Sequence, residues 1–396
     1  MRTKLFIMTL FTASLGAVLF YPHVQAKNIV VDPQPVQHLI SKQQPKIDVV
    51  FALDTTGSMS GLIEAAKQNI WSIASTMASA QPTPEIRIGL VAYRDRGDEY
   101  VTRVVDLSSD LDSVYATLMD FQAGGGGDTP ESVNQALNDA VHKMSWSEGD
   151  QAYRVIFLVG DAPPHMDYNE TQYPEIVQAA RTRGIVVNTI QCGDMGVTVD
   201  PWNAIASLGN GDFLHVSQAG NAVAVNTPFD DELARLAKQL DDTRLYYGND
   251  EEKSRMKAKT DATAKLNQGA SVESRARRAV FNSSAGGRKN LLGENELVDA
   301  VASGDVALEE LDEAALPESL KAMAPEEQAQ HIAVLAGQRE DIQKKIQILA
   351  KDRDAFIAEK EEEAGGFEDS LDAQLYDVVA RQAAEVGLEY EEGPEY

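Results

Sequence analysis

"IDVVFALDTTGSMS", Ile47 to Ser60, joins an apolar run to Asp54, Thr55, Thr56, Gly57 and Ser58. A carboxylate among hydroxyls at the end of a buried strand has three chemical readings. Asp54 can be the general base of an acid protease, the phosphorylated nucleophile of a phosphoryl-transfer enzyme, or a ligand of a divalent cation. The fold around it has to separate them.

Further along the chain, "IRIGLVAY", "YVTRVVDL", "YRVIFLVG", "GIVVNTIQ" and "DFLHV" repeat the apolar pattern. Helical patterns lie between them: "SGLIEAAKQNIWSIASTMAS", "SDLDSVYATLMDFQ", "PESVNQALNDAVHKM" and "YPEIVQAARTR". Near-continuous Val/Ile/Leu strands alternating with amphipathic helices predict an α/β fold, a doubly wound, mostly parallel sheet covered on both faces. Only "RDRGDE" joins the second and third runs, too little for a crossover helix, so that pair is expected as an antiparallel hairpin at one edge. The α/β domain is drawn over 47–245, after a linker over 27–46 that contains Pro33, Pro35 and Pro45. An all-α C-terminal region follows: a mixed helical segment over 246–323, then long amphipathic helices with an acidic tail over 324–396. In "PEEQAQHIAVLAGQREDIQKKIQILAKDRDAFIAEKEEE", Leu335, Ile342, Leu349 and Phe356 recur every seventh residue. Arg339 and Arg353 interrupt the second seam begun by Ile332 and Ile346. That argues against a long two-stranded coiled coil, and for a helix packed on the preceding region or one that takes a helical partner through 325–363.

The first 26 residues read as a secretory signal peptide. Arg2 and Lys4 precede an apolar segment, and "VQA" offers a small-residue cleavage site. The expectation is a periplasmic or secreted protein without a transmembrane segment in its mature chain. The net charge of −27 over 396 residues sets the chain against nucleic acid and anionic membranes, whose phosphates it would repel. A single cysteine, Cys192, forms no intramolecular disulfide and reads as a small buried hydrophobe.

Three loops concentrate oxygen donors: Asp54 to Ser58, "GGGGDT" from Gly124 to Thr129, and Gly160-Asp161 closing "VIFLVGD". In an open parallel sheet the carboxyl ends of neighbouring strands face one crevice. Asp54, Thr56, Ser58, Thr129 and Asp161 therefore form a candidate set of hard oxygen ligands, suited to Mg2+, with Mn2+ or Ca2+ as alternates. Every second residue of the turn points the same way, which lets Asp54, Thr56 and Ser58 converge. Few charges leave such a metal able to attract an outside carboxylate.

These loops resemble the metal-ion-dependent adhesion site (MIDAS) of von Willebrand factor type A (VWA) domains. Asp54, Thr56 and Ser58 match the family's D-x-S-x-S with threonine for the first serine, Thr129 its second-loop threonine, and Asp161 its third-loop aspartate. The resemblance covers about half the chain. It implies a non-enzymatic module whose partner is a protein presenting Asp or Glu to the metal. The remainder resembles a group of bacterial exported proteins that join such a domain to a helical tail. "GDAPPH" departs from the family pattern and leaves His165 unplaced, with a surface turn as its expected setting.

The rival readings fit less well. A protease needs Gly directly after one Thr and a second such loop, in an all-β fold. A Mg2+-dependent phosphatase or phosphotransferase would use Asp54 as nucleophile with Asp161 and Asp167 on the metal, but it expects Lys at 55 or Asp at 56. A purely structural reading has Ser58 or Ser60 capping the next helix.

Overall fold

Side chains alternate across a strand, so β1 (Lys46–Asp54) supplies two cores at once. Ile47, Val49, Phe51 and Leu53 face one layer of helices, while Val50 and Ala52 face the other. The computed structural model describes residues 44–127, 129–218, 225–364, 367, 370–390 and 393. The expected signal peptide and most of the 27–46 linker lie outside them. The described residues from Gln44 onward form one compact unit.

β1 is followed by α1 (Ser60–Ala78), β2 (Glu85–Tyr93), β3 (Thr102–Ser108), α2 (Leu111–Leu118), α3 (Val133–His142) and β4 (Ala152–Gly160). Then come α4 (Tyr173–Thr182), β5 (Ile185–Cys192), α5 (Gly196–Leu208), β6 (Asn210–Val216) and α6 (Asp230–Asp241). The six strands lie in the order β3-β2-β1-β4-β5-β6. β2 and β3 pair antiparallel at the edge, as the short linker required, and the other pairs are parallel. The strand order reverses direction between β1 and β4, so the crevice of this sheet opens above the carboxyl ends of those two strands.

The sequence reading did not anticipate α5, whose "GVTVDPWNAIASL" carries a proline inside the helix. Its anchor is Trp202, fully buried, with Nε1 donating to the Ala162 carbonyl at 3.0 Å. Cys192 is buried in the core, as expected, and burial pushes its thiol pKa far up. The rival reading of a serine cap is not met. The residue before α1 is Met59, and neither Ser58 nor Ser60 caps that helix through its side chain.

The C-terminal helices are α7 (Asp250–Gly269), α8 (Val272–Ser283), α9 (Arg288–Leu292), α10 (Leu297–Ser303), α11 (Glu318–Lys321), α12 (Pro325–Ala364) and α13 (Leu371–Ala383). Buried ions join them to the sheet domain. Arg278 of α8 reaches Asp112 of α2 at 2.5 Å and Asp241 of α6 at 2.9 Å. The two arginines that break the heptad seam of α12 are also interior ions: Arg353 pairs with Asp230 of α6 at 3.1 Å, and Arg339 with Glu296, just before α10, at 2.8 Å. Between them Ile346 is fully buried, so α12 packs on its own chain.

The closing helix α13 belongs to the core of the sheet. Leu371, Leu375, Val378 and Val379 pack in the cluster that holds Val49 and Phe157. Asp372 accepts from Asn69 and Ser72 of α1 at 2.9 and 2.8 Å, and Gln382 accepts from the Tyr153 hydroxyl at 2.7 Å. No helix among the described residues is long and apolar enough to cross a membrane.

Candidate metal centre

Asp54 ends β1 and Asp161 follows the last residue of β4, which puts both carboxylates at the crevice where the strand order reverses. Asp54 is fully buried. Its Oδ1 accepts from the Thr56 backbone N–H at 2.8 Å and from the Thr56 hydroxyl at 2.6 Å. The Thr56 hydroxyl in turn lies 3.4 Å from that of Ser58. Asp54 Oδ2 is buried and has no hydrogen-bond partner. Burial, followed by the repulsion of Asp161, raises the Asp54 pKa to about 7, against the hydrogen bonds from Thr56 and the charge of Arg94.

The doubled threonine has two distinct tasks. The Thr55 hydroxyl turns inward, donating to the Tyr93 carbonyl at 2.9 Å and meeting the Tyr100 hydroxyl at 2.7 Å. Arg94 Nε donates to the Thr55 carbonyl at 3.0 Å. Thr55 thus ties the loop to β2, which frees Thr56 and Ser58 for the crevice.

The glycine-rich loop lies directly against this turn. The Gly57 N–H donates to the Gly125 carbonyl at 3.3 Å, and the Gly124 N–H to the Thr55 carbonyl at 3.1 Å. Gly125 has φ +80°, and a Cβ there would collide with the Asp98 carboxylate at 2.4 Å, so only glycine fits. Gly160 is equally constrained, because a Cβ would meet the Tyr93 hydroxyl at 2.5 Å and Asp54 Oδ2 at 3.1 Å. Thr129 sits on the same loop with its side chain exposed, and among the described residues no hydrogen bond ties it to the other four.

Four groups in and around the crevice carried no signal in the motif. Gln218, just after β6, donates from Nε2 to Asp161 Oδ2 at 2.9 Å and to the Ser58 carbonyl at 3.0 Å. It bridges the first and third loops from a strand with no sequence link to either. Glu131 is buried, its Oε2 has no partner, and burial with the nearby Asp54 and Asp95 raises its pKa to about 9. Asp95 accepts from the Ser132 and Tyr168 hydroxyls at 3.0 and 2.8 Å. His165 is buried, not a surface turn residue. It stacks on Tyr168 with ring centroids 3.9 Å apart, and its Nδ1 lies 2.8 Å from Asp167. "APPH" turns the chain back under α3, where the Asn134 amide holds the His165 carbonyl at 2.6 Å.

The donors fit a hard cation. A buried carboxylate oxygen without a partner, a second carboxylate beside it and two adjacent hydroxyls leave excess negative charge that a cation would neutralise. Among the described residues no group of three or more His, Cys, Asp or Glu is placed to hold a metal, so any cation here would lean on the hydroxyls of Thr56 and Ser58 as well as the two carboxylates.

Residues 48–226 match the family description "von Willebrand factor A domain". The human von Willebrand factor A domain-containing protein 7 is 32% identical over 140 residues, 35% of this chain and 14% of that one. The alpha-protein kinase vwkA of Dictyostelium discoideum is 29% identical over 121 residues, 30% of this chain and 19% of that one. The chain spans 12% to 19% of the length of the curated relatives it matches. Among solved structures, the mussel byssus proximal thread matrix protein 1 with a zinc-occupied MIDAS motif aligns with a TM-score of 0.34 at 16% identity, covering 44% of this chain and 42% of that one. Strand order, the switch-point crevice and the family match agree: residues 48–226 form a von Willebrand factor A domain.

Proposed function

We propose that this protein is an exported binding module that coordinates Mg2+ through Asp54, Thr56, Ser58, Thr129 and Asp161 and recruits a protein partner through an Asp or Glu side chain. The observation that carries the reading is the buried, unpartnered Oδ2 of Asp54, beside a second carboxylate and two hydroxyls. Thr56 donates its proton to Asp54, which leaves its hydroxyl lone pairs available to a cation. The bound metal would supply a positive centre for the partner's carboxylate. No step of this binding needs an activated nucleophile, so the module is non-catalytic in this reading. The periplasm or the extracellular space is proposed as its location from the leader-like residues 1–26, and mass spectrometry of the mature N-terminus in the native host checks that placement.

The phosphatase alternative would use Asp54 as nucleophile and requires Asp167 beside it. The Asp167 side chain is 78% exposed and held by His165, and Asp54 Oδ1 is committed to Thr56. Calorimetric titration of Mg2+ into the wild-type protein and Asp54→Ala tests the binding reading. Saturable binding lost in the variant is the expected result, and Mg2+-dependent turnover of a general phosphate ester that vanishes in Asp54→Asn would overturn it.

A further inference from the structure

The chain between α10 and the first turn of α12 folds into an open groove of about 610 Å3, within the size range of sites that bury a ligand. It belongs to the C-terminal helical region, outside residues 48–226. Leu308, Leu311 and Met323 line it. All three pack on the small core of Leu297, Leu320 and Ile332, yet each stays half-buried, so aliphatic surface faces the groove uncovered by any described residue.

Around that apolar surface the charge has one sign. Glu309, Glu313 and Glu326 line the same groove and are exposed, and among the described residues none of the three has a hydrogen bond or an ion pair. The cations of this segment are already engaged. Lys321 pairs with Glu318 at 2.5 Å, and Lys253 donates to the carbonyls of Ala314 and Leu316 at 2.6 and 3.0 Å. Residues 305–327 hold eight Asp or Glu and one Lys, hence a net charge of −7. A groove lined in this way repels anionic lipid and acidic peptides and attracts an apolar ligand that carries positive charge.

We infer that this groove docks a basic amphipathic segment of a partner protein. Large apolar side chains of that segment enter between Leu308, Leu311 and Met323, and its Lys or Arg residues meet Glu309, Glu313 and Glu326. Removing the apolar surfaces from water supplies affinity, while the carboxylates speed encounter with a cationic partner and select against acidic competitors. Docking here needs no bound metal, so it stands apart from the metal-binding reading.

The test pans displayed random short peptides on the full chain in chelator. Recovered sequences should combine two or more large apolar residues with a net positive charge, and a synthetic copy should bind one-to-one by fluorescence anisotropy. Glu309→Lys with Glu313→Lys changes exposed side chains that have no internal partner, and should weaken that binding roughly tenfold. Glu359→Lys with Glu362→Lys makes the same change of charge about 50 Å further along α12 and should leave binding unchanged. Serine in place of the peptide's large apolar residues should abolish it. Equal weakening by the two variants would reduce the effect to attraction by overall charge and overturn the inference. So would an unenriched or acidic pool, or binding that survives the serine substitutions. Self-association of the chain that is lost in Glu309→Lys with Glu313→Lys would give the groove to a second copy and overturn it as well.

Discussion

Gln218 Nε2 lies 2.9 Å from Asp161 Oδ2, so a residue that follows the last strand orients a carboxylate that follows the fourth. The same amide reaches the Ser58 carbonyl, so one side chain sets the distance between two of the proposed ligand loops. Outer partners that orient metal ligands typically matter by roughly 10- to 100-fold in affinity. Gln218→Ala is expected to weaken Mg2+ binding by about tenfold with little change in melting temperature, since Gln218 is exposed. Calorimetry on the two proteins checks it, and equal affinities would remove Gln218 from the site.

Glu131 has its pKa raised to about 9 by burial and by neighbouring carboxylates. Between pH 4.5 and 9 the folded chain holds a proton that the unfolded chain releases. This group therefore costs stability progressively as pH rises through that window. Glu131→Gln keeps the shape without the titration. In chelator, the variant should gain stability over wild type with increasing pH, by on the order of 2 kcal/mol at pH 7 relative to pH 4.5. Urea unfolding across that range decides it, and a pH-independent difference would contradict the buried protonated state.

Gly160 leaves no room for a side chain between the Tyr93 hydroxyl and Asp54. Gly160→Ala should destabilise the protein by roughly 1–3 kcal/mol, as overpacking does. Tyr93→Phe, which removes the nearest atom, should recover part of that loss in the double variant, because residues in contact are not additive. A double-mutant cycle by thermal unfolding measures the coupling, and strict additivity would count against the packing account.

Arg278 is buried between Asp112 and Asp241. Arg278→Ala removes the cation shared by two interior carboxylates, leaving Asp112 with Lys259 at 3.8 Å and Asp241 with Arg244 at 3.3 Å, and should cost roughly 3 kcal/mol. Replacing Asp112, Asp241, Arg278 and the buried Arg244 together by apolar residues of similar volume should cost far less, since Arg244 pairs with Asp241 at 3.3 Å and would otherwise be left alone, while Lys259 keeps Asp110 at 2.6 Å. Denaturant unfolding of both variants separates a net stabilising bridge from one that matters mainly when half of it is removed.

Truncation at residue 364 removes α13 and uncovers Val49, Phe157 and their neighbours in the sheet core. The truncated chain should lose cooperative unfolding or aggregate, since the exposed surface is continuous core and not a domain boundary. A sharp thermal transition near that of the full chain would show that α13 is dispensable.

Much of the fold was legible in local pattern. The strands and their order of types, the β2–β3 hairpin and the placement of Asp54 and Asp161 at strand ends follow from runs of Val, Ile and Leu, and from a linker too short to cross over. α5 escaped because glycines border it, a proline sits within it, and its anchor is a single tryptophan. His165 escaped because "APPH" reads as an exposed turn, whereas its burial depends on α3 and Tyr168, which the turn itself does not specify.

The sequence by itself determined the α/β class, the candidate ligand types and the spacing that lets Asp54, Thr56 and Ser58 share a side, because period and turn chemistry act over a few residues. Only the tertiary structure decided that Gln218 holds Asp161, that Arg339 and Arg353 are interior ions, and that the last helix completes the first strand's core. Those relationships join residues tens to hundreds of positions apart, and burial and charge pairing at that range arise only when the whole chain is packed.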